Sequence, residues 1–134
     1  MDPLVGQLMM VAFNFAPQGW FLCDGSTYPV NQYEALFSLL RNRYGGDGVN
    51  TFCVPDLRGR FPMGQGIGNG LLPIALGQIG GTASITPQTS TTNVGSGTTP
   101  IIYPDPAIAQ NNLPPYVAVN YIICWQGYYP SQAD

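Results

Sequence analysis

GQLMMVAFNFAPQGWFLCDG, residues 6–25, consists of two apolar runs parted by one turn and closed by another. Gly6 to Phe15 is rich in β formers, is interrupted at Asn14 and reads as a strand. Ala16-Pro17-Gln18-Gly19 breaks it as a turn. Trp20 to Cys23 reads as a second short strand, ended by Asp24-Gly25, a strong turn dipeptide. Together they read as a compact antiparallel unit, so the chain opens in β structure.

Downstream of this unit the period changes. Asn31 is placed to cap a helix and Glu34, three residues on, to reach back to the cap, a variant of the capping box. Tyr33, Leu36, Phe37 and Leu40 then fall at helical spacing on one face. Arg41 and Arg43 sit in or just past the last turn, where cations suit the helix dipole, and Gly45-Gly46 reads as the stop. The spacing predicts one main helix, about 31–42. From Gly45 to Gly70 the chain is glycine-dense, with a short strand expected at Thr51 to Val54 and an ordered loop at Pro55 to Arg60. Thr82 to Gly97 is built mostly of Thr, Ser, Gly and Asn and reads as an exposed loop or an extended β excursion, a loop or insertion of about 82–99. After two proline-rich stretches, Val117 to Trp125 is strongly apolar and reads as a buried central strand. No internal repeat is visible. The fold class expected is α+β, one small domain over 1–134 with short antiparallel strands, one main helix and long glycine- and proline-rich loops.

Composition narrows the function. Hydrophobic residues make up 45% of the 134 and charged residues only 8%, about a third of the roughly 25% share of an ordinary soluble protein. A chain of this size buries roughly 68% of its unfolded surface. So little charge favours either extensive subunit contact or an uncharged, Ser/Thr/Asn/Gln-rich exterior, and a homo-oligomer is expected. The net charge is -3, and the only cations are Arg41, Arg43, Arg58 and Arg60. They supply no row of phosphate contacts, which argues against nucleic-acid binding. Histidine is absent, and with it the commonest general base and metal ligand. No apolar stretch reaches the roughly 18 residues that a membrane span needs. Met1 to Gly6 lacks the basic-then-apolar pattern of a secretory signal, so export is expected by lysis, within a particle or through a dedicated machine.

Cys23, Cys53 and Cys124 each lie among apolar residues, and two readings stay open. They are buried thiols acting as small hydrophobes, or Cys23 and Cys53 form a bridge. Zinc is disfavoured because there is neither a Cys-x-x-Cys pair nor a histidine.

Five stretches, in order, resemble the phage tail collar family: Gly6-Gln7-Leu8; Phe15 to Gly25; the helix ending Tyr44-Gly45-Gly46-Asp47-Gly48; Thr51 to Pro62, with its Pro55-Asp56-Leu57-Arg58-Gly59-Arg60 loop; and Asn120-Tyr121-Ile122-Ile123. The resemblance implies a role seen in short tail fibres of contractile phages and in small free-standing bacterial tail collar proteins. It further implies a trimer or higher polymer, other tail proteins or cell-surface carbohydrate as partners, and a place in a virion, a tail-like particle or at the cell surface. The chain departs from the fibres in two ways. It has no repetitive shaft, and where fibre relatives often carry a His-rich metal-binding stretch it has the His-free Thr82 to Thr99. Metal binding of that kind is not carried over, and no cofactor is expected.

Each candidate site also has a purely structural reading of the same residues. Asp56, Arg58 and Arg60 are the densest charge cluster; they read as a ligand site for a carboxylate or sugar hydroxyl, or as a loop in which Asp56 accepts from its own backbone and pairs with an Arg, the favoured reading. Trp125 offers a face for sugar stacking, although such aromatics more often belong to core or interface. In the polar loop, Thr86, Thr89, Ser90, Thr91, Thr92 and Asn93 are the outward recognition candidates. The oxygens near Asp24 and Asp47 are too few for calcium, and Gly64, Gly66 and Gly68 lack the strand–helix setting of a dinucleotide site. Cys and Ser nucleophiles have no His beside them, and the carboxylates show no glycosidase spacing. The expectation is a non-enzymatic, self-assembling tail collar or tail-fibre-type protein that contributes to cell-surface attachment. The alternative is a free-standing lectin-like binder or a surface filament subunit.

Overall fold

The structure, a computed structural model, describes residues 2–85 and 110–133. Its elements, in chain order, are β1 (Leu8–Val11), β2 (Trp20–Leu22), β3 (Thr27–Pro29), a 3-10 turn (Val30–Gln32), α1 (Glu34–Leu40), β4 (Thr51–Cys53), β5 (Ser84–Ile85), β6 (Gln110–Asn111) and β7 (Asn120–Cys124). All strand pairs among the described residues are antiparallel and the class is α+β. The chain forms two compact units, Met1–Gln78 with Ala118–Asp134, and Ile79–Val117.

In the first unit, the reading of Val117 to Trp125 as a central strand is met over Asn120–Cys124: β7 lies between β1 and β2 in a three-stranded sheet of order β1-β7-β2. The expected antiparallel unit of β1 with β2 is thereby corrected. The two runs do not pair with each other; each pairs with β7, Leu8 and Phe21 both opposite Ile123. The physical reason is burial. β7 carries Ile122, Ile123 and Cys124, all almost fully buried, and these need strands on both sides.

Ile123 joins Val5, Cys23, Leu36, Leu40, Phe52 and Val54 in the core. Leu36 and Leu40 are one helical turn apart, so α1 presents one stripe to it. Phe21, Tyr28, Tyr33, Phe37 and Trp125 form the half-buried aromatic margin. Phe21 stacks on Tyr28 at 3.8 Å, and Tyr33 stands edge-on to Trp125 at 5.1 Å.

The helix is shorter than its sequence pattern. Asn31 lies in the 3-10 turn, the residue before α1 is Tyr33, and no side chain caps that end, so the Asn31–Glu34 capping box does not form. Strand pairing wins over the local cap. β3 runs antiparallel to β4 with Pro29 opposite Thr51, and the Val30 N–H donates to the Asn50 carbonyl at 2.9 Å, which holds the backbone on the ladder up to the turn. At the other end Arg41, not Gly45-Gly46, stops the helix: its φ of 54° is positive, rare for a side-chain-bearing residue. Arg43 Nη1 donates to the Leu39 carbonyl at 2.7 Å, satisfying one of the open carbonyls of the last turn.

All three cysteines are free thiols, which overturns the Cys23–Cys53 bridge. Cys23 belongs to the core, whereas Cys53 pairs with Thr27 in the β3–β4 ladder and its Sγ lies 3.2 Å from Thr27 Oγ1. Burial and the neighbouring Asp24 charge push the Cys23 thiol up to about 12, and burial raises that of Cys124. Neither is a ready nucleophile. In the second unit β5 pairs with β6, and the Asn112 N–H donates to the Ala83 carbonyl.

Candidate functional site

Two loops are laced together at the end of β2 and beyond β4. The Leu57 N–H donates to the Cys23 carbonyl, the Val54 N–H to the Ser26 carbonyl and the Gly25 N–H to the Pro55 carbonyl. Gly25 permits the approach: its φ is 76°, and a Cβ there would stand 3.1 Å from Asp56 Cβ. Asp24 Oδ1 accepts from both the backbone and the hydroxyl of Ser26, at 3.1 and 2.6 Å.

This lacing presents Asp56 and Arg58. Arg58 Nε and Nη2 each donate to the Asp56 carboxylate at 2.9 Å, one per oxygen, and the Arg58 N–H adds a third bond at 3.2 Å. These bonds, with the Arg60 charge assisting, hold the Asp56 carboxyl down at about 2. Both side chains are exposed, so the pair fixes the loop's shape more than it adds stability. Nη1 of Arg58 makes no bond to this carboxylate.

Beside Arg58 lies a recess of about 230 Å³ lined by Leu22, Asp24, Leu57, Val119, Asn120 and Tyr121, with Cys23 also reaching it. It combines apolar walls with a carboxylate, a guanidinium, an amide and a phenol. Asn120 Nδ2 donates to the Phe13 carbonyl at 2.8 Å, which orients the amide. Of the residues picked out from sequence, Asp56 and Arg58 are brought together here, while Arg60 lies on the same loop with its N–H bonded to the Leu57 carbonyl. Trp125 is elsewhere, against Phe21 and Tyr33 in the aromatic margin. Thr86, Thr89, Ser90, Thr91, Thr92 and Asn93 lie outside the described residues. The sequence places Asn120 and Tyr121 in a strand and in the last family-like stretch, but in no site. Their place at the recess depends on β7 pairing with β1 and β2, for which no local signal exists.

Asp47 orders the neighbouring loop. Its Oδ1 accepts from the N–H groups of Val49, Asn50 and Thr51 at 2.8, 2.8 and 2.9 Å. These bonds, Thr51 first, lower its pKa from 3.8 to about 2. A carboxyl depressed in the folded state contributes stability that is present above its unfolded pKa and is lost as pH falls through the folded value. Asp47→Asn is therefore expected to flatten the fall in stability between pH 4 and pH 2. Urea midpoints at several pH values check this, and an unchanged acid slope would contradict it. Among the described residues, no three His, Cys, Asp or Glu side chains gather as a metal-holding group, and no helix is long and apolar enough to cross a membrane.

The laced loops, the helix and strands β1 to β4 all fall within one stretch that matches a known family. Residues 6–62 match the phage tail collar domain. The match runs from the start of β1 through the Asp56–Arg60 loop, covering four of the five stretches on which the resemblance rests; β7 lies beyond it. The chain is also similar to protein RhiB of Rhizobium leguminosarum bv. viciae, 38% identical over 61 residues, which is 43% of this chain and 28% of RhiB. The chain thus spans little more than a quarter of the length of that curated relative.

Proposed function

We propose that this chain is one collar-type domain and works as a non-enzymatic structural protein of a phage tail or tail-like particle, self-assembling as a trimer or higher polymer alongside other tail proteins. The collar match over residues 6–62 carries this reading. The surface supports it: Met10, Phe15, Phe61, Met63, Ile67, Leu71 and Leu72 are each more than half exposed in the single chain, more apolar side chain than an isolated soluble protein ordinarily leaves in water. Purified particles test the reading. The protein is expected to band with them on a density gradient; recovery only in the unassembled fraction would overturn it.

A binding role is proposed at the recess beside Arg58, where Nη1, which makes no bond to the Asp56 carboxylate, Asp24 and Tyr121 suit the hydroxyls of a cell-surface sugar. Asp56 holds Arg58 in place, and Arg60 lies on the same loop. Trp125 and, as a separate candidate, the 82–99 loop are also proposed as glycan contacts. Arg58→Ala is expected to abolish retention on a glycan array without changing the native mass. Equal retention by the variant and the parent would remove Arg58 from the site, and no retention by the parent would remove the glycan.

A further inference from the structure

Residues 61–76 form an arm with no buried side chain, yet the arm is held at both ends and across its middle. The Arg60 N–H donates to the Leu57 carbonyl just before it starts. Gly66 and Ile74 exchange two backbone hydrogen bonds of 2.7 and 2.9 Å, and the Leu71 N–H donates to the Gly68 carbonyl between them. Beyond it Gly77, at a φ of 87°, sits so close to Arg43 that a Cβ would meet the Arg43 carbonyl at 3.1 Å. On this frame stand Phe61, Met63, Ile67, Leu71, Leu72 and Leu76, between 50% and 83% exposed. No charged residue occurs from Phe61 to Pro104.

We propose that this arm is the surface by which one copy of the chain packs on a second copy, an inference that rests on the assembly reading above and assigns its interface. The six side chains expose on the order of 800 Å², about what each partner of a standard interface contributes. The absence of charge selects an uncharged, apolar counter-surface. A second copy supplies two: its own arm, and the β1 region, where Leu8, Met9, Met10, Phe13 and Phe15 are exposed and no charge occurs between Asp2 and Asp24. Among the described residues β1 is also an edge strand, with β7 on one side only. A lipid surface fits less well. The arm is not an amphipathic helix, and its extended backbone would carry unpaired polar groups into hydrocarbon.

The test is native mass by light scattering on the full chain, comparing the parent, the double variant Leu71→Asp/Leu72→Asp, and Val49→Asp as a control that is 73% exposed but outside the arm. Two carboxylates pressed into an apolar contact are expected to weaken association about a hundredfold or more, giving a monomer with unaltered circular dichroism, while the control keeps the parent mass. A double variant that keeps the multimer overturns the arm and leaves the assembly reading standing, whereas a monomeric parent overturns both. If the double variant does not fold, a photo-crosslinker at Ile67 decides: adducts to a second copy support the proposal, and adducts confined to one chain overturn it. Binding of the parent to phosphatidylcholine vesicles that the double variant loses also overturns it, in favour of a lipid surface.

Discussion

Phe52→Ala is expected to lower the unfolding free energy by about 3–5 kcal/mol, the range for deleting a fully buried aromatic ring. Phe52 is fully buried, at 0% exposure, at the centre of β4. It touches the aromatic margin on two sides, 5.7 Å from Phe37 and 6.4 Å from Tyr28 between ring centroids. Its ring is thus the common neighbour of the helix and of β3, and its removal leaves a cavity that neither can close without breaking the β3–β4 ladder. Total stabilities of small domains run about 5–15 kcal/mol, so such a loss brings the chain close to its unfolding threshold at ordinary temperature. Chemical denaturation with tryptophan fluorescence measures it, because Trp125 lies in the same aromatic margin. A loss below about 1 kcal/mol would place Phe52 outside the core and contradict the account of how α1 is held.

Gly46→Ala is expected to cost at least ~2–3 kcal/mol, far more than the usual glycine-to-alanine change, because strain and collision act together. The φ of Gly46 is 89°, and a Cβ there would stand 2.5 Å from Phe52 Cα and 2.7 Å from the Thr51 carbonyl oxygen. Both are backbone atoms of β4 and have no rotamer in which to retreat. The Asp47 loop would have to lift from the strand, with loss of the Gly48 N–H bond to the Thr51 carbonyl and the Cys53 N–H bond to the Gly45 carbonyl. Gly59→Ala is the fitting comparison. Its φ is also positive, at 67°, but nothing lies within 4 Å of the added carbon. Its cost is expected to be about 1 kcal/mol, from backbone strain alone. Equal melting temperatures for the two variants would show that Gly46 is not packed as described.

The elements legible in the sequence are those whose cause is local or whose burial is total. β7 declared itself because Ile122, Ile123 and Cys124 are all buried, so the run is apolar without alternation. The stripe of Leu36 and Leu40 marked the helix for the same reason. The boundaries were less legible, because the Asn31–Glu34 pattern competes with a strand ladder that continues through Val30 and loses to it. β3 is not legible in the sequence, because a three-residue strand ending in proline carries almost no periodic signal. Nor was the sheet order readable, since the register of Leu8 with Ile123 joins opposite ends of the chain.

Similar reasoning applies to the site. That Asp56 pairs with an Arg of its own loop is legible from the charge cluster, and the fold shows that the partner is Arg58. The recess beside it draws Leu22 and Asp24 from one strand end and Asn120 and Tyr121 from another, and only the assembled sheet brings them together. Low charge content pointed to assembly in general terms. Exposed apolar side chains stand on the arm after Arg60 and along β1, and it is there that the proposed contact between copies is assigned.

The measurement that bears most directly on assembly is the native mass in solution by light scattering coupled to size exclusion, with and without reductant. A discrete multimer, a trimer above all, with the same mass in both conditions is the predicted result, since the three cysteines are free and Cys23 and Cys124 are buried. A stable monomer at all concentrations would contradict the account, because its exposed Phe61, Met63, Leu71 and Leu72 would then have no partner.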